Sequence, residues 1–347
     1  GYAVRARDTF GADEADPVVL ETIGTVHAGS EPDVEVREGT CAEISTGAVM
    51  PDGADAVVMV ERTDETEDGV AIRTSVAPGD AVMVAGTDVA AGSRALGPGT
   101  PLTAREIGLL SALGVDAVPV RGKPTVGIVS TGDELVRPGE DLHSAAGQIY
   151  DVNSYTIAAG VEEAGGEAVL YPHAGDDYDE MERLLVEASE ACDLVLSSGS
   201  TSASAVDVIY RVIEERGELL LHGVSVKPGK PMLIGRLGET RGASRSAYVG
   251  LPGYPVSALT IFRTFVAPAI RSAAGLPEPR TATVEGRMAV RERYAEGRTR
   301  LVPVGLVAAD GDADAPLVYP VDKGSGATTS LVEADGVVEM DADTDYL

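Results

Sequence analysis

The chain has 347 residues, enough for two or more domains. Its 56 acidic residues outnumber 27 basic ones and leave a net charge of −29, which argues against nucleic acid or an anionic membrane as a partner, since both need a basic face. Acids spread this evenly suit a halophilic, high-salt cytoplasm where screening relieves self-repulsion; the plainer alternative is an ordinary acidic protein.

From Val18 to about Gly92 short β-like runs such as "VEVREGTCAEI", "ADAVVMVERT" and "GVAIRTSV" are broken by glycine, which predicts a small all-β module. "GPGTPLTAREIGLLSALGV" then switches to a helix. Thr103 and Glu106 form a capping-box pattern, Ile107, Leu110 and Leu113 make one apolar face, and Gly114 ends it. From Gly122 to about Gly275 strands and helices alternate. "TVGIVS", "EAVLYPHA", "DLVLSS" and "AYVGLPG" read as strands. "SYTIAAGVEEAGG", "MERLLVEASEAC", "VDVIYRVIEERG" and "PVSALTIFRTFVAPAI" read as helices, the third with Val206, Ile209 and Ile213 on one face. Apolar strands with crossover helices predict a three-layer domain around a mostly parallel sheet. "LPEPR" reads as a linker, and "TATVEGRMAV", "TRLVPVGLVA", "PLVYPV" and "GVVEM" return to β.

Cys41 and Cys192 form no CxxC, and His27, His143, His173 and His222 are scattered, so neither a disulfide framework nor a histidine-rich metal site is expected. No apolar run reaches the length of a membrane span, no signal-like start is present, and the reading is cytoplasmic. The opening Gly1-Tyr2-Ala3, without methionine, reads as a fragment.

In an open α/β sheet, ligands gather outside the carboxyl ends of the strands. Three junctions there carry unusual chemistry: Thr131-Gly132-Asp133-Glu134, Ser197 to Ser202 with Gly199 and Ser200, and Gly250-Leu251-Pro252-Gly253-Tyr254-Pro255. Small residues let backbone N–H groups approach an anion. Asp133 and Glu134 read either as turn or helix caps or as a metal or phosphate-ester site, and Asp207 either as a helix cap or as a further ligand. The acids would repel a phosphate, and a divalent cation such as Mg²⁺ resolves that, because it takes one or two carboxylates plus phosphate oxygens. Lys227 and Lys230 flank a Pro-Gly turn; they are two solvated lysines or an anion clamp.

The blocks "GYAV", "ISTGAVMPDGADAVVMVE", "STGDELVRPG", "GQIYDVNSYTI", "VKPGKPMLIG", "LPGYPVSAL" and "GSGATTSLVEADGVVEM", in this order, resemble the molybdopterin molybdotransferases. This MoeA-type family includes the C-terminal domain of gephyrin, and the resemblance runs end to end. It implies a β-rich domain over 1–92, a helical connecting segment over 93–121 belonging to an elongated domain, an α/β molybdopterin-binding domain over 122–275 and a C-terminal β-barrel over 276–347. It also implies a homodimer with small-molecule substrates. Adenylylated molybdopterin and molybdate would react with Mg²⁺, releasing AMP and placing molybdenum in the dithiolene. Carried over by the matching blocks, Glu134, Asp133, Asp207, Asp176 and Asp88 are the catalytic acids, and Glu134, Asp133 and Asp207 the metal ligands. Thr46, Gly132, Gly199, Ser200, Lys227, Lys230, Pro252, Gly253, Pro255 and Ser325 make up the substrate-binding set.

The chain departs from the family pattern at several places. Ser200 and Ser204 replace glycines of a phosphate-approaching loop, Thr87 replaces the acid before Asp88, and Gly223 stands where a second cleft lysine is expected. The family's functional acid before "GYA" lies outside this sequence. These departures keep a diverged paralogue that binds molybdopterin or its adenylate without inserting metal as the alternative. A gephyrin-like scaffold is a third class, with no insertion to suggest a partner. Molybdenum and tungsten are not distinguished, because the two oxyanions match in size and charge.

Overall fold

The structure is a computed structural model that describes all residues except 176, 200–202, 239–245, 280, 294–296, 309–314 and 345–347, and only the backbone of 203–207. It divides into two compact units, Gly1–Pro98 and Gly99–Leu347.

The first unit is built on β1 (Tyr2–Val4), β2 (Val18–Val26), β3 (Thr40–Ile44), β4 (Ala56–Val58), β5 (Thr63–Thr66) and β6 (Gly69–Ile72) in the order β4-β1-β3-β2-β6-β5. Alternation of side chains separates two small cores. Tyr2, Val4 and Cys41 enter one with Leu20 and Ile72, while Ala3 and Ala42 enter the other with Val26 and Val36.

In the second unit α1 (Ala104–Ala112) opens at the expected capping box, where the Glu106 carboxylate accepts the Thr103 N–H at 2.9 Å. It closes at Gly114, whose φ of +71° lets the Val115 N–H reach the Leu110 carbonyl at 3.0 Å. The expected apolar face is not buried: Ile107 is 55% and Leu113 44% exposed. Among the described residues nothing covers it, so the sequence period marks an amphipathic helix but not a core one.

The α/β layer follows with β7 (Thr125–Ser130), β8 (Leu135–Val136), β9 (Ile149–Tyr150), α2 (Asn153–Glu163), β10 (Glu167–Leu170), α3 (Tyr178–Ala191), β11 (Leu194–Ser198) and α4 (Ala203–Arg216). Next come β12 (Gly217–His222), β13 (Val226–Lys227), β14 (Leu233–Leu237), β15 (Ser246–Leu251), α5 (Pro255–Ile261) and α6 (Ala267–Ala273), the two helices joined by a wide π turn at Phe262–Val266. The sheet order is β10-β7-β11-β15-β14-β12. Its first four strands are parallel, and β14 and β12 add an antiparallel edge. Val126 and Ile128 of β7 face α2, α5 and α6, while Val129 faces α3 and α4, where Ile209 and Ile213 are fully buried. Helices thus cover both faces, as near-continuous apolar strands require.

Phe262 is 1% exposed and closes on Gly160 of α2, where a Cβ would stand 2.6 Å from its ring. Phe262→Ala is expected to lower unfolding stability by about 3–5 kcal/mol, because the helices around the void relax only partly. A denaturant titration reads this as a lower midpoint at unchanged slope.

The last sheet joins β16 (Arg287–Met288), β17 (Thr299–Val307), β18 (Leu317–Pro320) and β19 (Gly336–Met340), with α7 (Thr329–Val332) before β19. Val302, Val304, Val318 and Met340 form its core. Its fifth strand is β13, which pairs in parallel with β17 through Val226↔Thr299 and Lys227↔Arg300. The multidomain α/β plus β class expected from the sequence is the observed one.

Candidate active site at the strand ends

The carboxyl ends of β7, β11 and β15 lie side by side, with Ser198 opposite Ser130 on one flank and Leu251 on the other. Beyond β7 the Thr131 N–H donates to the Ser198 carbonyl at 2.7 Å, and the Gly132 N–H to the Ala174 carbonyl at 3.0 Å. Gly132 has φ +140°, and the Glu134 carboxylate folds over it, 2.5 Å from where a Cβ would stand. The Asp133 carboxylate reaches the next segment, 2.7 Å from the Cβ position of Gly175. Gly199 has φ +103°, and a Cβ there would lie 2.1 Å from the Thr131 carbonyl oxygen. The two strand ends therefore meet as closely as they do only because position 199 is glycine. The Thr131 hydroxyl is buried against this junction, without a hydrogen-bond partner among the described residues.

Asn153, at the start of α2, binds the junctions together. Its Nδ2 donates to Ser198 Oγ at 2.7 Å and to the Gly253 carbonyl at 2.8 Å. Pro255 occupies the first turn of α5, where its missing N–H costs nothing. The following free donor, the Val256 N–H, is taken by the Ser325 carbonyl at 3.0 Å, so the last domain touches this loop through its main chain. Lys227 and Lys230 are exposed on the connection from β12 to β14. Gly229 between them packs on α5, a Cβ there falling 2.2 Å from Ile261.

The structure therefore brings Gly132, Asp133, Glu134, Gly199, Pro252, Gly253 and Pro255 to one end of one sheet. Ser325 adjoins Pro255 through its carbonyl, a contact that motif matching attributed to no particular atom. Thr46 is exposed in the turn after β3 and Asp88 is exposed further along the same unit, so both belong to the first unit. Asp176, Ser200 and the side chain of Asp207 lie outside the described residues. Asn153, Asp151 and His173 were missed by the sequence reading, although "YDVNS" holds the first two; a buried polar side chain at a helix start looks in sequence like an ordinary cap.

Asp133 and Glu134 are exposed and their carboxylates accept no hydrogen bond from the described residues, and no helix begins at their loop, which runs into β8. A pair of uncommitted carboxylates is the donor set that Mg²⁺ takes together with substrate phosphates, so these residues fit the ion. Among the described residues no three His, Cys, Asp or Glu converge, so an all-protein cage is not what they form. An acidic hollow in the first unit is lined by Glu21, Glu43, Glu65, Glu67 and Asp68, a charge that repels a phosphate ester.

Residues 127–272 match the probable molybdopterin-binding domain, residues 1–114 the MoeA N-terminal region (domain I and II), and residues 285–347 the MoeA C-terminal region (domain IV). The chain belongs to the MoeA family. Among its relatives, molybdopterin molybdenumtransferase 2 of Mycobacterium tuberculosis is 40% identical over 287 residues, covering 80% of this chain and 68% of the relative. The molybdopterin molybdenumtransferase of Nostoc sp. is 36% identical over 277 residues, covering 80% of this chain and 62% of the relative. A crystal structure of the MoeA protein from Pyrococcus horikoshii superposes with a TM-score of 0.75 at 31% identity, covering all of this chain and 83% of that one. The chain thus spans about two thirds of the length of these curated MoeA relatives, and no helix among its described residues is long and apolar enough to cross a membrane.

Proposed function

We propose that this chain acts in molybdenum cofactor biosynthesis as a molybdopterin molybdenumtransferase, inserting molybdenum into adenylylated molybdopterin with hydrolysis of the adenylate and release of AMP. The observation that carries the reading is the joining of three strand-end junctions, two by Asn153 and the third by the Thr131 N–H on the Ser198 carbonyl, in a chain of the MoeA family. Without side chains, Gly132, Gly199 and Gly253 leave room for close approach by a phosphate. Lys227 supplies a positive charge toward it. Asp133 and Glu134 hold Mg²⁺, with Asp207 as a further candidate ligand; when bound, the ion neutralises phosphate charge and lowers the pKa of attached water. Thr46, Asp88, Asp176, Ser200, Lys230 and Ser325 complete the proposed set of functional residues. The assembly is proposed to be a cytoplasmic homodimer, with domains near 1–92, 93–121, 122–275 and 276–347.

Ser200, Ser204 and Gly223 favour one second reading, a paralogue that holds molybdopterin or its adenylate without metal insertion. The two are separated by incubating the full-length protein with molybdopterin-AMP, Mg²⁺ and molybdate. Molybdate-dependent AMP release supports the transferase; tight binding without release supports the paralogue.

The halophilic reading is tested on the same protein. With a net charge of −29 the compact state repels itself, and the thermal unfolding midpoint is expected to rise between about 0.1 M and multimolar KCl. An unchanged midpoint would count against it.

A further inference from the structure

Asp151 is a buried acid outside the proposed machinery. Its side chain is 1% exposed, and a carboxylate so placed needs several donors. Its Oδ1 accepts the Ser154 N–H at 3.0 Å and the Ser130 hydroxyl at 3.4 Å. Its Oδ2 lies 2.9 Å from Nε2 of His173, a residue 22 positions further along the chain. That contact places the ring proton on Nε2, because an ionised carboxylate can only accept.

The bond joins the Asp133–Glu134 loop to the segment from His173 to Gly175. On one side, Asp151 ends the loop that contains Asp133 and Glu134: the Ile149 N–H donates to the Glu134 carbonyl and the Asp151 N–H to the Val136 carbonyl, both at 2.9 Å. In that loop β8 and β9 pair only with each other, so the ladder of the main sheet does not hold them. Asp151 is the side chain that fastens the loop to β7, through Ser130, and to α2, through Ser154. On the other side, His173 precedes Ala174, whose N–H donates to the Ser130 carbonyl at 2.9 Å, and Gly175, where a Cβ would stand 2.7 Å from the Asp133 carboxylate. That same segment leads into Asp176.

We propose that Asp151 and His173 are a positioning pair: their hydrogen bond locks the Asp133–Glu134 loop against the segment from His173 to Gly175, so that the Asp133 and Glu134 carboxylates present one preformed face to a divalent cation. The inference rests on the metal-site reading above. Neither residue ligates the ion. They act as the outer partners of a metal site do, by removing alternative positions of the ligands.

The test uses Mn²⁺ as an electron-spin-resonance probe on the full chain in high salt, counting as site-bound only the population lost in Glu134→Gln. His173→Ala is expected to weaken that Mn²⁺ binding about tenfold or more. His173→Gln is expected to restore it to within about twofold, because the glutamine amide can reach Asp151 with an N–H where alanine cannot. If His173→Ala fails to fold, His173→Asn, which is too short to reach, replaces it in the comparison with His173→Gln. Wild-type affinity in His173→Ala, or equal affinity in the Asn and Gln variants, overturns the inference alone. A wild-type protein with no Glu134-dependent Mn²⁺ overturns the inference together with the metal-site reading. A lowered unfolding midpoint with unchanged Mn²⁺ affinity assigns the pair a merely structural role and also overturns it.

Discussion

Glu134→Gln is expected to slow Mg²⁺-dependent AMP release at least about a hundredfold, since loss of an outer partner alone costs 10–100-fold at metal sites. Glutamine keeps the length and the hydrogen-bonding capacity of the side chain and removes only the charge. The fold should barely register the change. Glu134 is exposed, its carboxylate accepts no hydrogen bond from the described residues, and it caps no helix. Surface substitutions of that kind stay within about 0.5 kcal/mol. A capping role predicts the opposite pattern, a stability loss near 1 kcal/mol with chemistry intact. Turnover and unfolding midpoint measured on one preparation separate the two. Full activity with a lowered midpoint would reject the metal-site reading.

Gly199→Ala is expected to damage stability and turnover together. At φ +103° any side chain is strained, and the new Cβ would stand 2.1 Å from the Thr131 carbonyl oxygen and 2.7 Å from its hydroxyl. The obstacle is mainly backbone, held by the Thr131 N–H bond to Ser198, so no flexible chain end can move aside. The ends of β7 and β11 must separate. Backbone strain of about 1–2 kcal/mol and overpacking of about 1–3 kcal/mol add to a loss of roughly 2–5 kcal/mol. Thermal unfolding reads the first effect. AMP release by the remaining folded protein reads the second, because Thr131 leads directly into Gly132, Asp133 and Glu134. A midpoint within a degree of wild type would show that the junction yields without cost.

The elements that were legible in the sequence are those with an unbroken pattern. "TVGIVS" and "DLVLSS" are apolar runs of strand length closed by small residues, and they are β7 and β11. Thr103, Glu106 and Gly114 mark the ends of α1 because caps act locally. The antiparallel edge was not legible. "GELLLH" has neither clean alternation nor a tight turn before β14, since the connection between them detours through β13 to pair with β17. The exposure of the apolar face of α1 was not legible either, as periodicity reports that a face is apolar and not what covers it. At the site, glycines and acids stood out by type. Asn153, Asp151 and His173 did not, because their roles depend on partners 21 to 100 positions away.

The last domain meets the α/β layer partly through main-chain atoms, by the β13–β17 ladder at Val226 and Lys227 and by the Ser325 carbonyl on the Val256 N–H, and partly through Leu331, which packs against the core beneath α5. A peptide group is the same whatever residue carries it. Side chains along the ladder can therefore be exchanged without rewriting those bonds, and a hybrid carrying the terminal domain of another MoeA protein keeps them if it keeps the path of its backbone and an apolar side chain at the Leu331 position. Deleting the domain is a different matter. It strips a strand partner from Lys227 and an acceptor from the first turn of α5, and so unbuilds the site from a distance without touching a single acid.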